Sequence, residues 1–414
     1  MKTEYIDNTP TMLQSLKTPQ KAVQHRVYIE DRRTVSVTLK PHALNIFEKP
    51  QNNLWTFDLE GRLIGMYVNG INYRRTLDNH FFKKTRRRSN GETYREVNPI
   101  SMDEAKRLLE KGQTFLKRVE SELPVSFQFY VQKVLDMDVT RLTESGERFS
   151  RIYLPISILP PDQYMALVLQ ITEGCNYNQC TFCNFYRDRP FHIKTVEEVE
   201  HHFKDVKSFF GEGIKLRKSI FLADANALVI PQKKLVTFLE LIRCKFPEIP
   251  RLYSFIDVFT GTKKSTEDFS TLANLGLERV YLGVESGNSE LLDFLHKPQL
   301  TDDILDLSNH LKMGGVRLGI IFLVGAGGEF FRQKHLEDSL KLVKRLPLDS
   351  GDIIYISEFY ETNPQYRSTM ETRGIEVPTR LDIRTMSTEF KAAVKQMVPK
   401  GVSVSIYDIQ QFIY

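Results

Sequence analysis

The chain has 414 residues, 41% hydrophobic and 26% charged, with a formal charge of +5 and four cysteines. Its length suits two or three domains, or one large α/β domain with appendages, and its slight charge gives an anionic partner only weak encouragement. Four cysteines are too few for a disulfide-stapled secreted domain, no run of eighteen apolar residues offers a membrane span, and the first residues lack the apolar core of a secretory leader, so a cytoplasmic protein with no membrane partner is expected.

Residues 1 to about 25 mix polar residues with Pro10 and Pro19 and read as a loosely held arm. Residues 26–155 read as an N-terminal α+β domain of unknown role. Val35–Leu39 and Leu54–Leu59 alternate as half-buried strands do. Glu60-Gly61 and Asn69-Gly70 read as hairpin turns, so Arg62–Val68 and Ile71–Leu77 pair in a small antiparallel meander. Phe81-Phe-Lys-Lys-Thr-Arg-Arg-Arg88 sets a basic run beside two rings. Lys83–Arg88 suits a phosphate backbone, but it reads first as a charged, protected strand edge. Ser101-Met-Asp-Glu104 is a capping box opening a helix to about Glu122, stopped by Pro124. Val125–Met137 is ambiguous between helix and strand, and Pro155, Pro160 and Pro161 mark a linker.

From Tyr164 onward strand and helix signals alternate, as in a parallel sheet built from βα units. Met165–Ile171, Ser219–Leu222, Leu252–Ile256, Val280–Val284, Val316–Val324 and Asp352–Ile356 are the expected strands. Six strands fall short of a closed eight-stranded barrel. The expected fold is therefore α/β, an open six-stranded (βα)6 TIM-like partial barrel over residues 160–360, with residues 361–414 as an extension packed on it.

The first of those strands runs into Gly174-Cys175-Asn-Tyr-Asn-Gln-Cys180-Thr-Phe-Cys183, so three cysteines fall within nine residues as C-x4-C-x2-C. Soft thiolates at that spacing suit an iron–sulfur cluster or zinc. Structural zinc wants a fourth protein ligand; no second cysteine pair exists, and His192, His201 and His202 follow no finger spacing. His201 and His202 read as surface residues of an amphipathic helix. Three ligands on a four-iron cluster leave one iron open to a small molecule.

The loop resembles the cluster-binding segment of the radical S-adenosylmethionine (radical SAM) superfamily, with one residue more in its first gap than the usual C-x3-C-x2-C. The resemblance covers about Tyr164 to Glu358. It implies a [4Fe–4S] cluster on Cys175, Cys180 and Cys183, S-adenosylmethionine on the open iron, and a flavodoxin- or ferredoxin-like one-electron donor. It further implies that Phe182 lies near adenine. Asp224 and Asn226 match in part a segment gripping the methionyl amino group, and Gly283-Val-Glu285 resembles an element of oxygen-independent coproporphyrinogen oxidases that places Glu285 at the ribose hydroxyls. The glycine-rich turn at Gly325 is implied near adenine, and Asp257 follows its strand by position alone. Cys244 reads as a small packed helix residue. The expected activity is reductive cleavage of S-adenosylmethionine to a 5′-deoxyadenosyl radical that acts on an unknown substrate. A non-catalytic iron–sulfur carrier or sensor, and an RNA-binding or RNA-modifying protein using the basic N-terminal region, are the alternatives.

Overall fold

The computed structural model describes residues 19–29, 33–89, 92–407, 409 and 414. Most of the expected arm, through residue 18, lies outside them. The chain divides into two compact units, Met1–Ile152 with Lys207–Leu216 and Ile413, and Tyr153–Val206 with Arg217–Phe412 and Tyr414.

In the first unit, β1 (Val23–Ile29), β2 (Arg33–Leu39), β3 (Leu44–Lys49), β4 (Asn53–Phe57), β5 (Leu63–Val68), β6 (Ile71–Arg75), β7 (Phe81–Ser89) and β8 (Glu92–Pro99) pair in chain order as one antiparallel meander. The turn between β5 and β6 is the expected Asn69-Gly70, with both residues at positive φ (52° and 82°) and Val68 paired to Ile71. Such a turn matches the twist of the strands it joins. The meander is larger than the sequence suggests. In β3 the core-facing Glu48 interrupts the apolar period; it is 1% exposed and accepts from Asn53 Nδ2 at 2.8 Å. In β7 the basic run masks the period altogether.

The alternate residues Val35, Val37, Ile46, Trp55 and Phe57 build a core with α1 (Met102–Val119), α2 (Val125–Asp136) and α3 (Val139–Ile152). Ser101 caps α1 by accepting from the Glu104 N–H, and the ambiguous stretch after Pro124 is helical. Trp55 is fully buried, its Nε1 donating to the Leu108 carbonyl at 2.9 Å. Gly112 lies against its ring, where an added Cβ would approach Trp55 Cγ to 2.8 Å. Gly112→Ala is therefore expected to lower stability by about 1–3 kcal/mol through overpacking, despite the better helix propensity of alanine. A shift of the urea midpoint with unchanged slope would register it.

The second unit begins with β9 (Leu167–Gln170), a two-residue ladder of β10 (Thr172–Glu173) with β11 (His192–Ile193), and α4 (Val196–Phe210) up to Val206. There follow β12 (Ile220–Ala223), α5 (Gln232–Lys245), β13 (Leu252–Ile256), α6 (Val258–Gly261), α7 (Thr266–Asn274), β14 (Leu277–Glu285), α8 (Ser289–Phe294) and α9 (Thr301–Met313). The last elements are β15 (Arg317–Val324), α10 (Gly328–Arg345), β16 (Ile353–Glu358), α11 (Pro364–Thr372), α12 (Arg380–Met397) and β17 (Ser403–Tyr407). The sheet is parallel, in the order β9-β12-β13-β14-β15-β16-β17. An order that advances one strand per crossover winds the sheet continuously, and all its C-terminal strand ends share one rim.

The α/β class and the antiparallel N-terminal sheet are as expected, but the parallel sheet has seven strands instead of six. The seventh, Ser-Val-Ser-Ile-Tyr, comes from within the expected extension and is too short and polar to read alone. The free edge of β16 gives its backbone partners. At the other edge, the Tyr414 hydroxyl accepts from Val168 N–H and donates to the Ala166 carbonyl, both at 3.0 Å, occupying backbone groups in and just before β9. Two further expectations change. His202 is buried, with Nε2 accepting from Gln170 N–H at 3.1 Å, and Cys244 is exposed instead of packed.

Candidate active site at the strand ends

The cysteine loop leaves β10 through Gly174, whose φ of +72° and closeness to the Pro190 carbonyl exclude a side chain. A buried carboxylate fastens this turn. Asp224, 3% exposed at the end of β12, accepts from Gly174 N–H at 2.9 Å and from Gln170 Nε2 at 2.8 Å. Arg189 Nη1 lies 3.4 Å away, and Asp224's own N–H donates to Thr172 Oγ1. Burial raises the Asp224 carboxyl above the usual range, against the lowering pull of these donors. Both oxygens are thus spent within the protein.

Beyond Gly174 the loop winds tightly. Asn178, at φ 52°, donates its N–H to Cys175 Sγ at 3.3 Å, and Arg187 donates to the carbonyls of Cys180 and Cys183 at 3.0 and 3.1 Å. All three thiols and Phe182 line one cavity of about 1120 Å³, counting its open mouth. Burial is the main influence on the Cys183 thiol, pushed up to about 12, with nearby Cys180 and Cys175 adding to it. Burial also raises the Cys180 thiol, while Lys297 pulls it down.

The rest of the wall comes from the strand ends. Asn226 follows β12, Asp257 follows β13, Glu285 ends β14, Leu323 lies near the end of β15, Glu358 ends β16 and Tyr407 ends β17. A register irregularity between Gly283 and Glu285 re-aims the glutamate, which stands at φ 60°. Its carboxylate folds back so far that a Cβ on Gly283 would lie 2.7 Å from Oε1. Glu285 pairs with Lys297 at 3.1 Å, their side chains only 10% and 11% exposed. Burial alone would depress the Lys297 ammonium, but Glu285 and Cys180 outweigh it and hold its pKa above the usual value.

Asn226, 2% exposed, donates through Nδ2 to Thr260 Oγ1 at 2.8 Å and to the Asp257 carboxylate. Its buried Oδ1 has no hydrogen-bond partner. That is an acceptor left open beside the cavity.

The structure therefore brings Cys175, Cys180, Cys183, Phe182, Asn226 and Glu285 to one cavity. Asp224 stands behind the cysteine loop and does not line it. Gly325, at φ +95°, packs against Ile383 and lines a separate small pocket with His335. Lys297 and the Gln170–Asp224–Arg189 clamp went unread in the sequence, because their importance comes from through-space pairs with no fixed spacing.

His335 itself supports a pH prediction. It is 4% exposed, with Nδ1 2.7 Å from Ser286 Oγ and Nε2 unpartnered, and burial lowers its pKa from 6.5 to about 4. The unfolded chain binds this proton first, so stability is full above about pH 6.5 and falls as the pH drops toward 4, by about 3 kcal/mol in all. Urea midpoints measured between pH 7 and 4.5 should fall, and fall less in His335→Gln.

Among the described residues, no three His, Cys, Asp or Glu side chains converge tightly enough to hold a single metal ion. The thiols instead share a cavity wall, which suits separate irons of one cluster better than one tetrahedral ion. The open Asn226 acceptor and the charged Glu285–Lys297 pair fit a polar, zwitterionic ligand beside them.

A profile of the Radical SAM superfamily matches residues 169–343. The tRNA-2-methylthio-N(6)-dimethylallyladenosine synthase of Clostridium botulinum (strain Hall) is 28% identical over 235 residues, covering 55% of this chain and 49% of that protein. The 4′-phospho-dehydrooxetanocin synthase of Priestia megaterium is 23% identical over 220 residues, 47% of this chain and 28% of its own. The solved structure of coproporphyrinogen III oxidase from Escherichia coli aligns with a TM-score of 0.41 at 16% identity, covering 56% of this chain and 52% of that one. The chain spans about half the length of the first of these curated relatives. No helix among the described residues is long and apolar enough to cross a membrane. Residues 169–343, which carry the cysteine loop and most of the parallel sheet, are a radical SAM domain, and enzymes of that superfamily use a [4Fe–4S] cluster and S-adenosylmethionine.

Proposed function

We propose that this protein is an enzyme that cleaves S-adenosylmethionine reductively and applies the resulting radical to a substrate held in the same cavity. The observation that carries this reading is the meeting of three thiols with Asn226, Glu285 and Lys297 around one ring-lined space. Cys175, Cys180 and Cys183 are the cluster ligands in this reading, and a flavodoxin- or ferredoxin-like donor supplies the electron. A reduced [4Fe–4S] cluster held by these three cysteines would supply the one-electron chemistry for reductive cleavage of S-adenosylmethionine, with 5′-deoxyadenosine and methionine as the products once hydrogen is taken from the substrate.

The chain's own residues do the rest. Asn226 Oδ1 accepts from the methionyl ammonium, which supplies the partner it lacks. Glu285, held in place by its ion pair with Lys297, accepts from the ribose hydroxyls. Phe182 offers a flat face to adenine, and Gly325 shapes the turn after β15, whose Ile321 and Leu323 add to the apolar wall. That wall excludes water from a reactive radical. Asp224 acts as a positioning residue through Gly174. Asp224→Ala leaves the Gly174 N–H without its acceptor, a loss of about 1–3 kcal/mol. Bound iron per chain should fall and Tm should drop.

The deciding assay is anaerobic. The protein is reconstituted with iron and sulfide, reduced, and given S-adenosylmethionine, and 5′-deoxyadenosine is measured. Production of 5′-deoxyadenosine is expected. A stably loaded cluster with no cleavage would replace this reading with that of an electron carrier or redox sensor.

A further inference from the structure

The eight-stranded sheet of the first unit has one face against α1, α2 and α3, and a second face whose composition is unusual. Side chains alternate across a strand and paired residues share a face, so the ladder partners identify its members. One row crosses the whole sheet as Arg26, Ser36, Phe47, Leu54, Tyr67, Asn72, Lys84 and Val97. The neighbouring row holds Gly65, Arg74 and Phe82, and Tyr28 and Lys49 flank the first row on the other side.

Among the described side chains, this face therefore interleaves four rings (Tyr28, Phe47, Tyr67, Phe82) with five cations (Arg26, Lys49, Arg74, Lys84, Arg86). The rings stand on β1, β3, β5 and β7, every second strand, about 10 Å apart at the usual strand spacing. No Asp or Glu occupies this face at any paired position from Gln24 to Pro99. Glu48 and Glu96 fall on the other face. Tyr28 is 77% exposed and Tyr67 40%, and Arg26, Lys49, Arg74 and Arg86 are exposed. Gly65 gives Arg74 room to lie flat, since a Cβ there would stand 3.1 Å from Arg74 Cδ. Of the described side chains in the basic run, those of Lys84 and Arg86 belong to this face, while Lys83 pairs with Tyr73 on the other.

We infer that this sheet face binds single-stranded RNA. Rings at regular intervals stack unpaired bases, cations between them neutralise phosphates, and the lack of carboxylates removes repulsion. Duplexes hide their base faces, whereas RNA presents unpaired bases in loops and bulges, so RNA is the nucleic acid that uses the rings. The inference stands independently of the chemistry in the rim cavity.

The test is fluorescence anisotropy of the full chain with a labelled single-stranded RNA, against the same sequence as single-stranded DNA, as duplex RNA, and against poly-glutamate as competitor. Affinity for single-stranded RNA should fall by about 100-fold between 50 and 200 mM salt if all five cations contact phosphate. Tyr67→Ala and Tyr28→Ala should each weaken binding by about tenfold, and Arg74→Glu should also reduce the salt slope, with Tm within a few degrees of the parent. Cys180→Ala should bind RNA as the parent does. Equal binding of duplex RNA or single-stranded DNA, displacement by poly-glutamate, or ring and charge variants that bind like the parent would each overturn the assignment.

Discussion

Cys180→Ala is expected to reduce 5′-deoxyadenosine formation to background while leaving the fold intact. Cys180 is half-buried on the cavity wall, so losing one sulfur costs the folded state only about 1 kcal/mol. The same loss leaves two thiols to hold a cluster whose loop offers three, and Cys244, the fourth cysteine, lies exposed on α5. Bound iron and the cluster's visible absorbance should fall together with cleavage, and the circular dichroism spectrum and Tm should stay close to the parent. Undiminished cleavage by this variant would remove Cys180 from the ligand set and with it the proposed site.

Lys297→Met should be the most destabilising single change at the rim. It deletes the ammonium paired to Glu285 among the described residues and leaves that carboxylate about nine-tenths buried. Removing one partner of a buried pair costs about 3–5 kcal/mol, because the remaining charge keeps its desolvation penalty. The double variant Lys297→Met with Glu285→Gln should recover much of that loss, which a double-mutant cycle in urea measures directly. If the single variant unfolds at the parental midpoint, the pair is not the electrostatic unit described here.

The two residues differ in how they could be found. Cys180 was legible because its signal is local: three thiols at fixed spacing form a site that needs almost no tertiary context. Asn226 and Glu285 were legible at one remove, because each follows an apolar run that marks a strand end, where βα folds gather their polar groups. Lys297 was not. It lies beyond α8, twelve residues from its partner, and nothing in Phe-Leu-His-Lys-Pro marks that lysine for burial. Asp224 shows a different limit. Its position after β12 was plain, but which way its carboxylate faces depends on Gly174, Gln170 and Arg189 arriving from elsewhere.

The fold divides in the same way. By itself the sequence determined the α/β alternation, the antiparallel N-terminal sheet, the Asn69-Gly70 hairpin and the cysteine loop, all features governed by neighbours within a few residues. The tertiary structure alone decided that Ser403–Tyr407 is a seventh strand, that the meander runs to eight, and that its described rings and cations share one face with no carboxylate at a paired position. A five-residue strand has no stability until a free edge supplies its hydrogen bonds, and the composition of a face is fixed only when register sets each residue opposite its partner.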